Sequence, residues 1–123
     1  MANKALIAGA SGIVGSATAE LLLESGWEVH GIARRGTGQP GVHSVLIDLQ
    51  DAAATATALE DLRPDALFIT TWLRQDSEAE NIRVNAAMVR NLLDGLPKPD
   101  GSRHVALVTG LKHYLGPLSL IHI

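Results

Sequence analysis

The chain has 123 residues, one domain's worth of sequence, with 46% apolar but only 3% aromatic side chains, so Ala, Val, Leu and Ile must fill its core. Ten basic against 13 acidic residues leave a formal net charge of −3, which argues against an electrostatic binder of nucleic acid. With no cysteine, a disulfide framework, a thiolate metal site and a catalytic thiol are all excluded.

In chain order, Lys4 to Ala8 is a short continuous apolar run, as expected of a strand buried on both faces. A helix is predicted from about Gly12 to Ser25, with Val14, Ala17, Leu21 and Leu22 at helical spacing and Gly26 suited to end it. Trp27 to Ala33 reads as a second strand and Val42 to Ile47 as a third, separated by the polar turn Gly36 to Gly41. Asp51 to Leu62 is Ala-rich and helical, stopped by Arg63-Pro64, and Ala66 to Thr70 is a fourth strand. A long helix from about Glu78 to Leu96 ends at Pro97, and Val105 to Thr109 forms a fifth strand. This alternation predicts an α/β fold, a Rossmann-like doubly wound parallel sheet covered on both faces. The dinucleotide-binding order uses about six strands. Five can be traced, so the domain over residues 1–117 reads as C-terminally incomplete.

The strongest motif is Gly9-Ala10-Ser11-Gly12-Ile13-Val14-Gly15, directly after the first strand and opening the first helix. Gly9 allows a tight turn, Gly12 lets the backbone approach a pyrophosphate, and Gly15 permits close helix–strand packing. The phosphate would sit on the free N–H groups at the helix start, with Ser11, Ile13 and Val14 beside the glycines as further cofactor-binding residues. Glycines are common at turns, and the position at a strand–helix junction is what makes this spacing specific.

An NAD site usually places an acid about twenty residues beyond the loop, at the end of the second strand. Here that strand ends in Arg34-Arg35. Guanidinium groups bind a 2′-phosphate that a carboxylate would repel, so the pair predicts NADPH (NADP+) as cofactor, against a solvated surface pair. Asp48 and Leu49 follow the third strand and could meet the adenine amino group and ring face. Asp48 is equally suited to capping the helix that begins nearby. Thr70, Thr71 and Trp72 end the fourth strand, and Thr109-Gly110 the fifth, at the edge where open α/β sheets place their ligands. Trp72 either walls that pocket or simply packs. The five histidines show no metal-ligand spacing, so no metal is expected.

These residues resemble the extended branch of the short-chain dehydrogenase/reductase superfamily. Val29 to Arg35, Thr70-Thr71-Trp72, Asn81-Ile82-Arg83-Val84-Asn85 and above all Thr109-Gly110-Leu111-Lys112-His113-Tyr114-Leu115-Gly116-Pro117 are similar to successive signatures of its progesterone five-beta-reductase/iridoid synthase-like group. The resemblance implies an enzyme that reduces the activated C=C bond of an enone with NADPH. It maps the catalytic lysine onto Lys112, with the catalytic tyrosine in a motif this sequence does not contain. The only tyrosine is Tyr114, and the residue four beyond it is Leu118, so the usual Tyr-x-x-x-Lys pair is absent. Lys112 would support the phenol electrostatically and hold the cofactor ribose.

Asn85 falls near the centre of an apolar face made by Ile82, Val84, Ala86, Met88, Val89, Leu92 and Leu93. Many short-chain reductases carry an active-site Asn on the corresponding helix, which implies a supporting role for Asn85, against a satisfied core amide.

The expected partner is a small-molecule substrate, an enone or other carbonyl compound, with a homodimer as the candidate assembly of the full-length protein. No apolar run is long enough to span a bilayer and no signal-peptide pattern opens the chain, so neither membrane nor nucleic acid is an expected partner, and the cytoplasm is the expected location. Leu118 to Ile123 reads like a translated sequencing adapter, so a truncated gene with a non-native tail is expected, and with it a fragment without turnover. Two rival readings stand beside the enone reductase. One is an extended-type epimerase, dehydratase or ketone reductase; the other is a non-enzymatic NADP-binding sensor.

Overall fold

The computed structural model of the chain describes residues 3–33, 38–71, 75–97 and 104–108. Its elements run β1 (Lys4–Ala8), α1 (Ile13–Glu24), β2 (Glu28–Ala33), β3 (Val42–Leu46), α2 (Ala52–Leu62), β4 (Ala66–Ile69), α3 (Glu78–Gly95) and β5 (His104–Leu107). The five strands form one sheet in the order β3-β2-β1-β4-β5, with every neighbouring pair parallel. Parallel neighbours need crossovers, which α1 supplies between β1 and β2 and α3 between β4 and β5, while α2 carries the chain from β3 at one edge to β4 beside β1. The result is the Rossmann-like doubly wound α/β fold that the alternating pattern predicts. None of the described helices is long and apolar enough to cross a membrane.

β1 is apolar from Ala5 to Ala8 because it serves two cores. Leu6 and Ala8 pack on one face with Leu67, Ile69 and the helix residues Leu59, Met88 and Leu92. Ile7 points to the other face, with Val29, Ala10 and Ala19. Leu6 and Ile7 are buried, which is worth roughly 1.5–3 kcal/mol for each such side chain.

Element ends follow local chemistry. Asp51 caps α2, its carboxylate accepting from the Ala54 N–H at 3.0 Å. The same helix stops at Arg63, which adopts the left-handed φ of 50° ahead of the buried Pro64. Ser77 caps α3 by accepting from the Glu80 N–H at 3.2 Å, with Glu78 and Glu80 in the first turn complementing the helix dipole.

Three expectations need correction. In α1 the buried positions are Gly15 and Ala19, with Leu22 and Leu23 partly buried, while Val14 and Leu21 are 47% and 63% exposed. The helix is rotated this way because Gly15 must face the sheet, a demand that outranks apolar spacing. In α3 the buried stripe is Val84, Asn85, Met88 and Leu92, leaving Ile82 and Leu93 exposed. Asn85 therefore lies within the buried stripe, but the wider apolar face assigned to the helix is only half covered. Trp27 precedes β2 instead of opening it and packs against the α1-side core.

Candidate functional site

From β1 the chain turns through α1 to β2 on one side, while β4 pairs with β1 on the other. The direction of winding reverses between β1 and β4, and open α/β sheets bind ligands beyond the strand ends at that point. Two segments meet there: Gly9 to Gly12 after β1, and Thr70-Thr71 after β4.

The glycine turn is dictated by crowding. Gly9 has a φ of +90°, and a Cβ there would stand 2.8 Å from Thr70 Oγ1 and 2.9 Å from Thr71 Cα. A Cβ on Gly15 would run into the Gly9 carbonyl oxygen and approach Thr70 Oγ1 at 2.9 Å. Gly12 differs, because its added Cβ would meet only the Gly9 carbonyl oxygen, at an ordinary 3.4 Å. Nothing inside the described structure demands glycine at 12, whereas a ligand seated against its backbone would. The turn is held by the Gly9 N–H donating to the Ile32 carbonyl at 3.3 Å and the Gly12 N–H donating to the Gly9 carbonyl at 3.1 Å.

At this turn α1 presents an open positive end. Gly12 is its N-cap and offers no side-chain cap, and the first turn carries no acidic residue. Among the described residues no hydrogen bond uses the N–H groups of Ile13, Val14 and Gly15. α2 and α3, by contrast, are closed by Asp51 and Ser77. Ser11 is exposed beside this end, and Ile13 is 91% exposed. Free amides, a positive helix end and an open approach at Gly12 fit the pyrophosphate of a dinucleotide.

Other expected site residues are distributed as follows. The Thr70 hydroxyl donates to the Ala8 carbonyl at 2.8 Å, with the Gly9 carbonyl at 3.2 Å. Thr71 borders a cleft of about 550 Å³ between α3 and β5, lined also by Asn81, Asn85, Val89, Leu107 and Val108. Asn85 is 9% exposed, and its Nδ2 donates to the Asn81 carbonyl at 2.8 Å. The Asp48 carboxylate accepts from the Gln50 N–H at 2.9 Å and stays exposed, while the helix cap is Asp51. Leu49 is 6% exposed and packs with the core around Leu59. Arg34, Arg35, Trp72, Thr109, Gly110 and Lys112 lie outside the described residues.

Asn81, which opens one of the family signatures but is given no role by the sequence alone, accepts the Gln75 N–H on its side-chain oxygen and the Asn85 amide on its carbonyl. Its four-residue spacing from Asn85 on one helix is the signal for that pairing. Groups with shifted titration lie off the site. The His30 hydrogen bond holds Glu28 below its ordinary 4.5, and the Arg83 hydrogen bond lowers Glu80. Among the described residues no cluster of three or more acidic, His or Cys side chains could hold a metal ion.

Known proteins resemble this chain in sequence and in fold. The chain is 39% identical over 126 residues to the 3-oxo-Delta(4,5)-steroid 5-beta-reductase of Arabidopsis thaliana, which covers 94% of the chain and 32% of that protein. It is 39% identical over 124 residues to the (S)-8-oxocitronellyl enol synthase CYC2 of Camptotheca acuminata, covering 92% of the chain and 32% of the enzyme. The chain thus spans about a third of the length of these curated relatives. A short-chain dehydrogenase/reductase superfamily protein from Agrobacterium tumefaciens, solved with bound NAD, superposes with a TM-score of 0.76 at 25% identity, over 92% of this chain and 34% of that one. The Bordetella bronchiseptica enzyme WbmH, in complex with NAD+, gives a TM-score of 0.65 at 30% identity over 77% of this chain and 35% of its own. The profile of the NAD dependent epimerase/dehydratase family matches residues 5–113, and with the glycine turn, the open helix end and the strand order it establishes that the chain belongs to that family.

Proposed function

We propose that the chain is the NADPH-binding portion of an oxidoreductase that reduces the activated C=C bond of an enone. The observation that carries the dinucleotide part is the uncapped start of α1 behind the Gly9–Gly12 turn, with Arg34-Arg35 following β2 where an NAD site would carry an acid. β2 ends beside the turn, since the Gly9 N–H donates to the Ile32 carbonyl. The 39% identity to an Arabidopsis thaliana steroid 5-beta-reductase supports the enone part.

In this reading the N–H groups of Ile13, Val14 and Gly15 hold the pyrophosphate, and Arg34 and Arg35 clamp the 2′-phosphate. A nicotinamide, when bound, would supply a hydride for the β-carbon of the enone. Lys112 holds the ribose and stabilises the phenol that approaches the enolate oxygen. Asn85, spent on the Asn81 carbonyl, shapes the wall beside Thr71. The chain's one tyrosine, Tyr114, is not spaced for that phenol role, so the 123 residues bind NADPH without turning over an enone.

The test is a titration of the 123-residue chain with NADPH and NADH, followed by nucleotide fluorescence. Replacing Arg34 and Arg35 together by Ala weakens NADPH by about tenfold or more and leaves NADH nearly unchanged, as expected for loss of charge-assisted hydrogen bonds. Equal losses for both nucleotides would remove the 2′-phosphate argument. An epimerase or dehydratase is the second reading, favoured by the match of residues 5–113 to the NAD dependent epimerase/dehydratase family. Tighter binding of NADH than NADPH would select it.

A further inference from the structure

We propose that Thr70 is a positioning residue for the dinucleotide, acting through the Gly9 carbonyl and not by touching the cofactor; this rests on the dinucleotide reading above. A loop that binds an anion must present N–H groups and keep its carbonyl oxygens turned away, because a carbonyl dipole aimed at a phosphate repels it. In this turn the carbonyl in question is that of Gly9. It accepts from the Gly12 N–H at 3.1 Å and from the Thr70 hydroxyl at 3.2 Å. The two donors hold the direction of this oxygen.

The hydroxyl is not needed to join the strands. The Thr70 N–H already bonds the Ala8 carbonyl at 2.9 Å, continuing the ladder between β1 and β4. The single Thr70 hydroxyl proton is shared between that carbonyl, at 2.8 Å, and the Gly9 carbonyl, at 3.2 Å, so one bifurcated bond spans both. The same oxygen fills the space beside both packing glycines, standing 2.8 Å from a Cβ placed on Gly9 and 2.9 Å from one placed on Gly15. Thr70 thus ties the end of β4, the turn and α1 into one unit, and its oxygen is the atom all three share.

The experiment compares Thr70→Val, which keeps the shape and loses the hydroxyl, with Thr70→Ser, which keeps the hydroxyl. NADPH is titrated into each 123-residue chain by nucleotide fluorescence, and exchange of the Gly12 amide is followed by NMR in the cofactor-free state. The expected result is a Kd raised about fivefold in Thr70→Val and within about twofold of the parent in Thr70→Ser. Gly12 exchange should be faster only in Thr70→Val. A Thr70→Val chain with parental affinity overturns the proposal, as does a Thr70→Ser chain weakened as much as Thr70→Val. If Thr70→Val does not fold, Thr70→Ser decides alone, and a fivefold loss in it overturns the proposal. If the parent takes up no NADPH, the dinucleotide reading itself fails, and with it the role of Thr70 toward a cofactor. Gly12 exchange then reports separately whether the hydroxyl holds the turn.

Discussion

Gly15→Ala tests whether the turn is set by packing. The added methyl would collide with the Gly9 carbonyl oxygen, lie 2.8 Å from the carbonyl carbon and stand 2.9 Å from Thr70 Oγ1. Two of those three atoms are backbone, held by the Gly12 N–H and the Thr70 hydroxyl, so they cannot swing aside as a side-chain end could. Overpacking of this kind costs typically about 1–3 kcal/mol, and rigid partners put this case near about 3. The gain in helix propensity from Gly to Ala offsets about 1 kcal/mol, leaving a net loss of about 2 kcal/mol. For a domain of this size that lowers Tm by roughly 8 °C, read by far-UV circular dichroism. Gly12→Ala is the internal control, because its methyl meets only an ordinary 3.4 Å contact, and it should melt within about 2 °C of the parent. In the dinucleotide reading it should still weaken NADPH. A Gly15→Ala chain that melts with the parent, or a Gly12→Ala chain equally destabilised, would refute the division of labour between the two glycines.

Asp51→Ala removes the cap on α2 and should cost about 1 kcal/mol, near 4 °C in Tm by calorimetry; an unchanged Tm would mean that the 3.0 Å bond to Ala54 contributes nothing. Glu28 is held below its ordinary 4.5 chiefly by the 2.7 Å hydrogen bond from His30, so its contribution to stability is complete above about that pH and is lost as pH falls through the lowered value. Glu28→Gln should therefore melt below the parent at pH 6 and converge with it toward pH 3, and a difference independent of pH would contradict this coupling. Finally, the purified 123-residue chain should show no NADPH-dependent reduction of an enone such as a 3-oxo-Δ4-steroid, and measurable turnover would place the catalytic acid inside these residues.

Local chemistry explains why so much of the fold was legible. β1 reads as a doubly buried strand because Leu6 and Ile7 serve opposite cores, and a continuous apolar run is the signature of that placement. Asp51, Arg63-Pro64 and Gly26 mark helix ends by requirements that act over three or four residues. The loop glycines were legible for the same reason, since a strand followed at once by glycines and a helix has few conformations open to it. What misled the reading was apolar spacing in α1 and α3. Val14, Leu21, Ile82 and Leu93 sit at helical intervals yet face outward. In α1 the contacts that override spacing come from the Gly9 carbonyl and from Thr70, 55 positions beyond Gly15 in the sequence.

The amino-acid sequence by itself determined the strand–helix alternation, the Gly9–Gly15 turn, the pair of arginines after the second strand and the family resemblance. These rest on neighbours in the chain and need no knowledge of what lies across the sheet. Only the tertiary structure decided that β1 and β4 meet where the winding reverses, that Leu49 belongs to the core, and that the Thr70 hydroxyl reaches the turn instead of standing open toward a ligand. Thr70 meets Ala8 and Gly9 from 62 and 61 positions away once parallel strands are paired, and no local pattern carries that proximity.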